Sequence, residues 1–174
     1  MSTELDNLLR KALIEFTERV FASGWRGRER EAISMFVLGY LINQVRPDGP
    51  LRDRTQIGIE VAVPSHKKIN PKGRVNKDLV IWPVGGMTLW DAKWNEANTP
   101  LAVLEWKVYR SIHRNADLAP VDLGWLTRWT REFPRVIGYA VALDLVQRQF
   151  CLRVARVENG SVQREWLEVK SVAG

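Results

Sequence analysis

The chain has 174 residues, 45% apolar and 26% charged, with a formal net charge of +6. That length suits one domain with a substantial core, and that balance excludes a largely disordered chain. The lone Cys151 excludes an internal disulfide, and no Cys/His cluster has zinc-ligand spacing. No apolar run is long enough to span a bilayer and no signal-type apolar core opens the chain, so a cytoplasmic protein without a membrane partner is expected. The surplus basic charge suits a polyanion, most commonly nucleic acid.

Leu5, Leu8, Leu9, Ala12, Leu13, Phe16 and Val20 recur at helical spacing and predict an amphipathic helix over 3–22, ended by Ser23-Gly24. A second helix is predicted over 28–45. It is apolar on most sides from Ala32 to Leu41, as buried helices are. Arg46-Pro47-Asp48-Gly49-Pro50 stops it. The period then becomes two: Ile57, Ile59, Val61 and Val63 alternate with other residues, which predicts a strand. Residues 64–76 read as a polar, basic loop, followed by a short strand over 78–82, a turn over 83–86 and a weaker strand over 87–94. Leu101 to Tyr109 is the clearest strand. Residues 120–133 predict a helix with Leu123, Leu126 and Trp129 on one side, and Val136 to Leu145 a strongly apolar strand. Residues 149–157 and 161–169 predict a hairpin around Glu158-Asn159-Gly160. Cys151 reads as a buried thiol, and most of the eight tryptophans as core residues. The expected fold is α/β, a central mixed sheet flanked by helices, in a single domain: an N-terminal helix (1–24), a core (25–145) and a C-terminal hairpin (146–174).

Glu105 and Lys107 stand two apart on the clearest strand, so their side chains share one face, with Trp106 on the other. A buried strand seldom ends in a carboxylate and an ammonium on one face unless they are paired or used. Asp78 heads the preceding strand. If the two strands are neighbours, Asp78 lies beside Glu105. Two adjacent carboxylates repel, and a hard divalent cation such as Mg²⁺, with Mn²⁺ substituting, relieves that repulsion. A lysine beside them can orient an attacking water and offset charge on a phosphate. Asp/Glu-x-Lys occurs three times, at Asp91, Glu105 and Glu168. Context favours Glu105, which has both a buried strand and an upstream aspartate. Asp91 follows a Gly-Gly turn, and Glu168 has no acidic strand start before it.

A helix with an acidic residue, a strand, Asp78 before Leu-Val-Ile-Trp, then Leu-Ala-Val-Leu-Glu105-Trp-Lys107, then a helix and a strand resembles the PD-(D/E)xK nuclease superfamily. The resemblance covers residues 25–145. It implies a restriction-endonuclease-like core and Mg²⁺-dependent hydrolysis of DNA phosphodiesters, with Asp78 and Glu105 as metal ligands and Lys107 activating water. It also implies the main-chain carbonyl of Trp106 as a further ligand and an assisting glutamate on the preceding helix, either Glu29 or Glu31. Helical spacing does not separate these two, and an acid in a first turn also simply favours the helix dipole. Lys77 stands where the motif name has proline. The long interval from Asp78 to Glu105 implies an inserted hairpin or loop at 83–100. Glu60, in mid-strand, is a further metal-site candidate, or a solvated edge residue.

His66 and His113 lie in polar segments and read as surface residues. Neither a GxSxG elbow nor a phosphate loop is present. Lys67, Lys68, Lys72, Arg74 and Lys77 before the site, and Arg110 and Arg114 after it, are expected to contact the DNA backbone. Arg128 and Arg131 are weaker candidates. No separate DNA-reading module is present, so specificity would come from loops, a homodimer or a partner protein. Two other readings stand beside the nuclease: a catalytically silent nucleic-acid-binding or assembly subunit, and a sheet protein whose Glu105–Lys107 pair is only structural.

Overall fold

Two helices lead the chain and cover one face of a sheet. The computed structural model describes residues 2–65, 73–110, 120–146 and 150–171. Helix α1 (Ser2–Ser23) buries Leu5, Leu9, Ala12, Leu13, Phe16 and Val20, the stripe its periodicity requires. Helix α2 (Glu29–Phe36) continues through a π turn (Val37–Leu41) and a 3₁₀ turn (Ile42–Gln44), so the chain coils across the predicted span. It is not buried on all sides: Ala32, Ile33, Phe36, Val37 and Leu41 are buried, but Leu38 is 69% exposed. A helix in an outer layer has the sheet on one side only.

The six strands are β1 (Ile57–Pro64), β2 (Arg74–Ile81), β3 (Ala102–Tyr109), β4 (Ile137–Asp144), β5 (Cys151–Glu158) and β6 (Ser161–Lys170). They lie side by side in sequence order. β3 and β4 are parallel, and the other neighbours antiparallel. The parallel pair needs a crossover, supplied by helix α3 (Pro120–Glu132). Ala102, Leu104 and Trp106 of β3 pack with α1 and α2, while Val103 packs with Leu123, Leu126 and Trp129 of α3. Helices thus cover both faces, and β4 is buried along its whole length. Gly138 in β4 keeps α3 close, since a Cβ there would meet Leu126 at 2.8 Å. Asn159 and Gly160 both take positive φ, as the tight hairpin turn predicted from Asn-Gly demands. Cys151 is buried. Among the described residues no helix is long and apolar enough to cross a membrane.

Two boundaries differ from the sequence expectation. β2 begins at Arg74, not Asp78, because Arg74 to Lys77 pair with β1, and a strand next to the sheet edge carries polar side chains without apolar alternation. Residues 87–94 form no strand. They belong to a loop closed by the single bridge between Trp90 and Glu96.

One buried polar cluster ties α1 to the sheet. The Tyr139 hydroxyl donates to Asp6 Oδ1 at 2.5 Å, and Arg156 Nε donates to the same oxygen at 2.9 Å. Burial and the adjacent Asp6 push the Tyr139 phenol well above its ordinary value, so it stays a donor at any physiological pH. Asp6→Ala takes this shared acceptor from two partly enclosed donors and is expected to lower stability by about 2 kcal/mol in urea unfolding. A loss below about 0.5 kcal/mol would mean that apolar packing alone seats α1.

Candidate active site

The site forms where β2 parts from β3. Their ladder runs from Ile81 opposite Ala102 to Leu79 opposite Leu104 and stops there. β3 continues beside β4 as far as Tyr109. Beyond the split, the main-chain N–H groups of β3 that face β2 need new acceptors. Asp78 provides one: its Oδ2 accepts from the Trp106 amide at 2.8 Å. The carboxylate is thereby fixed against the strand that carries Glu105 and Lys107.

Glu105 is the most enclosed acid of the group, at 6% exposure. Burial pushes its carboxyl up to about 7, against the opposing pull of Lys77. Lys77 Nζ lies 2.5 Å from Glu105 Oε1. It approaches off the hydrogen-bonding direction, so this buried oxygen has no directed donor. The same ammonium sits 3.5 Å from the centroid of the Trp125 ring on α3.

Lys107 is more open, with its side chain 37% exposed. Its ammonium donates to the Trp106 carbonyl at 2.8 Å and lies 3.5 Å from Glu29 Oε2 and 3.6 Å from Asp122 Oδ2. Half-burial alone would lower the Lys107 value, but Asp122, Glu29, Asp78 and Glu105 outweigh it and hold the ammonium above the ordinary lysine range. Burial likewise raises the Glu29 carboxyl, with Lys107 opposing. Glu29 opens α2 and Asp122 lies in the first turn of α3. The N-terminal turns of two helices, one from each layer, therefore converge beside the carboxyl end of the parallel pair, the usual ligand position in such sheets.

This geometry separates the two glutamates that helical spacing could not. Glu29 reaches Lys107, whereas Glu31 Oε2 accepts from the Arg28 amide at 2.9 Å and caps its own helix. The rival motifs are spent locally. Asp91 Oδ1 accepts from the amides of Lys93 and Asn95 in a turn, and Asn95 holds its carboxyl below the usual range. Glu168 pairs with Arg153 on β5 and Lys170 on its own strand β6. Glu60, in the left-handed region at φ 53°, pairs with Arg30 at 2.6 Å and takes no part in the cluster.

The basic residues divide. Lys77 does not belong to a solvent-facing loop: it is 8% exposed and turned inward. Arg74 pairs with Glu96 at 3.2 Å and lies over the Trp90 ring, and Arg110 is exposed just past β3. Arg128 and Arg131 are exposed on α3. Lys67, Lys68, Lys72 and Arg114, with His66 and His113, lie outside the described residues. Trp82, Trp106, Trp129 and Trp166 are in the core, Trp25, Trp90 and Trp125 pack on it half-buried, and Trp94 is 79% exposed. Sequence reasoning missed Asp122 and the inward role of Lys77. Asp122 has no motif spacing to mark it, and Lys77 sat among surface-type lysines.

The donor set of Asp78, Glu105 and the Trp106 carbonyl is all oxygen, the chemistry a hard divalent cation takes, and Glu105 Oε1 is a buried acceptor without a directed donor. Among the described residues no three His, Cys, Asp or Glu side chains are gathered at ligating distance. Compared with known protein families, curated proteins and solved structures, the chain matches none of them.

The Glu105 value predicts a pH dependence. Raised from an ordinary 4.5 to about 7, it means that the folded chain holds this proton more tightly than the unfolded one. The resulting stability is fully present below the ordinary value and is lost as pH rises through about 7. In metal-free buffer this group should cost roughly 2–3 kcal/mol of unfolding free energy between about pH 4.5 and pH 8. Urea unfolding across that range measures it. Glu105→Gln should flatten the slope, whatever it does to absolute stability, and an unchanged slope would assign the titration elsewhere.

Proposed function

We propose that the chain is a Mg²⁺-dependent DNA nuclease with a restriction-endonuclease-like core of the PD-(D/E)xK type. The observation that carries this reading is the convergence of Asp78, Glu105 and Lys107 at the point where β2 leaves β3, beside the carboxyl end of the parallel pair. The motif residues chosen on sequence context share one site, and the competing motifs do not reach it.

Asp78, Glu105 and the Trp106 carbonyl would hold the metal. When bound, a divalent cation polarises a phosphate and makes a bound water more acidic. The rest falls to the chain's own groups. Lys107 is an ammonium, so it cannot take a proton from water. Its part is to orient a nucleophilic water through a donated hydrogen bond and to stabilise negative charge on the phosphate. Glu29 and Asp122 hold that ammonium from opposite helix layers and fix its direction. Arg110, and Lys67, Lys68, Lys72 and Arg114 by sequence, would supply charge to the DNA backbone.

A second reading is a nucleic-acid-binding or assembly subunit without catalysis. What favours it is that lysines already neutralise the carboxylates and that no ligand trio is gathered among the described residues.

Incubating supercoiled, linear, single-stranded and branched DNA with Mg²⁺ or Mn²⁺ separates the two. Native chain should cleave at least one substrate, and Asp78→Asn or Lys107→Ala should lose at least about a hundredfold in rate while remaining folded. Binding without cleavage by native and variant chains alike would favour the silent subunit. The glutamates give a second check. Glu29→Gln should slow cleavage by about tenfold through loss of Lys107 positioning. Glu31→Ala should leave the rate unchanged and cost about 1 kcal/mol of stability through the lost cap. The reverse pattern would make Glu31 the assisting acid.

A further inference from the structure

The pair formed by Lys77 and Glu105 is an odd one for a structural ion pair. Both groups are nearly sealed from solvent, at 8% and 6% exposure. Two buried charges each carry a desolvation cost that only well-directed hydrogen bonds repay. Here the 2.5 Å contact is off the bonding direction, and Glu105 Oε1 is left without a directed donor. The lysine is placed as a nearby positive charge, not as a fitted hydrogen-bond donor.

The ammonium is held on its other side as well. It lies 3.5 Å from the centroid of Trp125, within reach of the negative face of the ring. That ring is held in place. Trp125 stacks on Trp129 with centroids 5.0 Å apart at 22°, and Trp129 Nε1 donates to the Pro64 carbonyl at 2.7 Å. Lys107 cannot share the task, because its ammonium is engaged with the Trp106 carbonyl, Glu29 and Asp122. A dication bound to Glu105 would lie against the Lys77 ammonium, and like charges in a low-dielectric site repel strongly.

We propose that Lys77 is the resident, chain-tethered cation of the carboxylate site, and that a divalent cation reaches Glu105 only by displacing its ammonium from the carboxylate. This rests on the metal-site reading above. Lys77 is then a positioning residue that sets metal affinity: it neutralises Glu105 in the metal-free protein and competes with the metal for the same oxygen.

The test is calorimetric titration of the full chain with Mg²⁺ alone, without nucleic acid, native and variant chains being compared in the same buffer. Lys77→Met, which removes the competing charge, should tighten binding by about tenfold or more, and Lys77→Gln should act in the same direction if the Met variant folds poorly. Mg²⁺ binding by Lys77→Met where the native chain shows none would support the proposal in its strongest form. Unchanged or weaker binding in both Lys77 variants, against measurable native binding, would overturn it. Absence of binding in the native chain and every variant would instead remove the metal-site reading on which it stands.

Discussion

The hydrogen bond from the Trp106 amide to Asp78 exists because β2 and β3 pair for only three residues and then separate. A strand that loses its neighbour leaves main-chain groups to be satisfied, and a carboxylate one residue past the last pair is a strong acceptor for such a group. The rest of the site follows from this opening. It lets Lys77 reach inward from β2 to Glu105, and it leaves the outer end of β3 free for Lys107 to meet the two helix starts. Had the ladder continued, Asp78 would have stood opposite Glu105 as an ordinary cross-strand neighbour and the space between them would have closed.

The electrostatics express a consistent balance. Glu29, Asp78, Glu105 and Asp122 interact through the same small volume, and the two lysines answer them. Burial raises Glu29 and Glu105, while Lys107 pulls the first back and Lys77 the second. The outcome differs by depth. Glu105, the deepest acid, is pushed into the neutral range, while the half-exposed Lys107 is held as an ammonium by four carboxylates. A group fixed as a cation suits the handling of phosphate charge and rules out proton abstraction by that residue. The same logic gives the two lysines unlike parts: Lys107 is accessible and bridges helices, whereas Lys77 is sealed between a carboxylate and an indole face.

The scaffold protects these charges by being finished elsewhere. The apolar clusters on the two faces of the sheet run from β2 to β5, and the charges of the split and of the link among Asp6, Tyr139 and Arg156 are set into them. The loop over 83–100 is pinned by Asp91, Asn98 and the pair of Arg74 with Glu96. It leaves from the paired end of β2 and β3 and reaches the start of β2 through Glu96.

The sequence by itself determined what depends on near neighbours. The stripe of α1, the alternation of β1, the apolar runs of β3 and β4 and the Asn-Gly turn are each decided within a few residues, and the structure follows them. The placing of Glu105 and Lys107 on one face is likewise local, since side chains two apart in a strand must share a side. Tertiary structure decided everything that depends on which strand lies beside which and where pairing stops. That Arg74 to Lys77 are strand and not loop is set by β1. That Glu29 faces the site while Glu31 caps its helix is set by the angle at which α2 meets β3. Asp122, brought in by the crossover helix, carries no signal in its own neighbourhood. Lys77 is the clearest case: in sequence it is one more lysine in a basic stretch, and only the parting of β2 from β3 turns its charge inward.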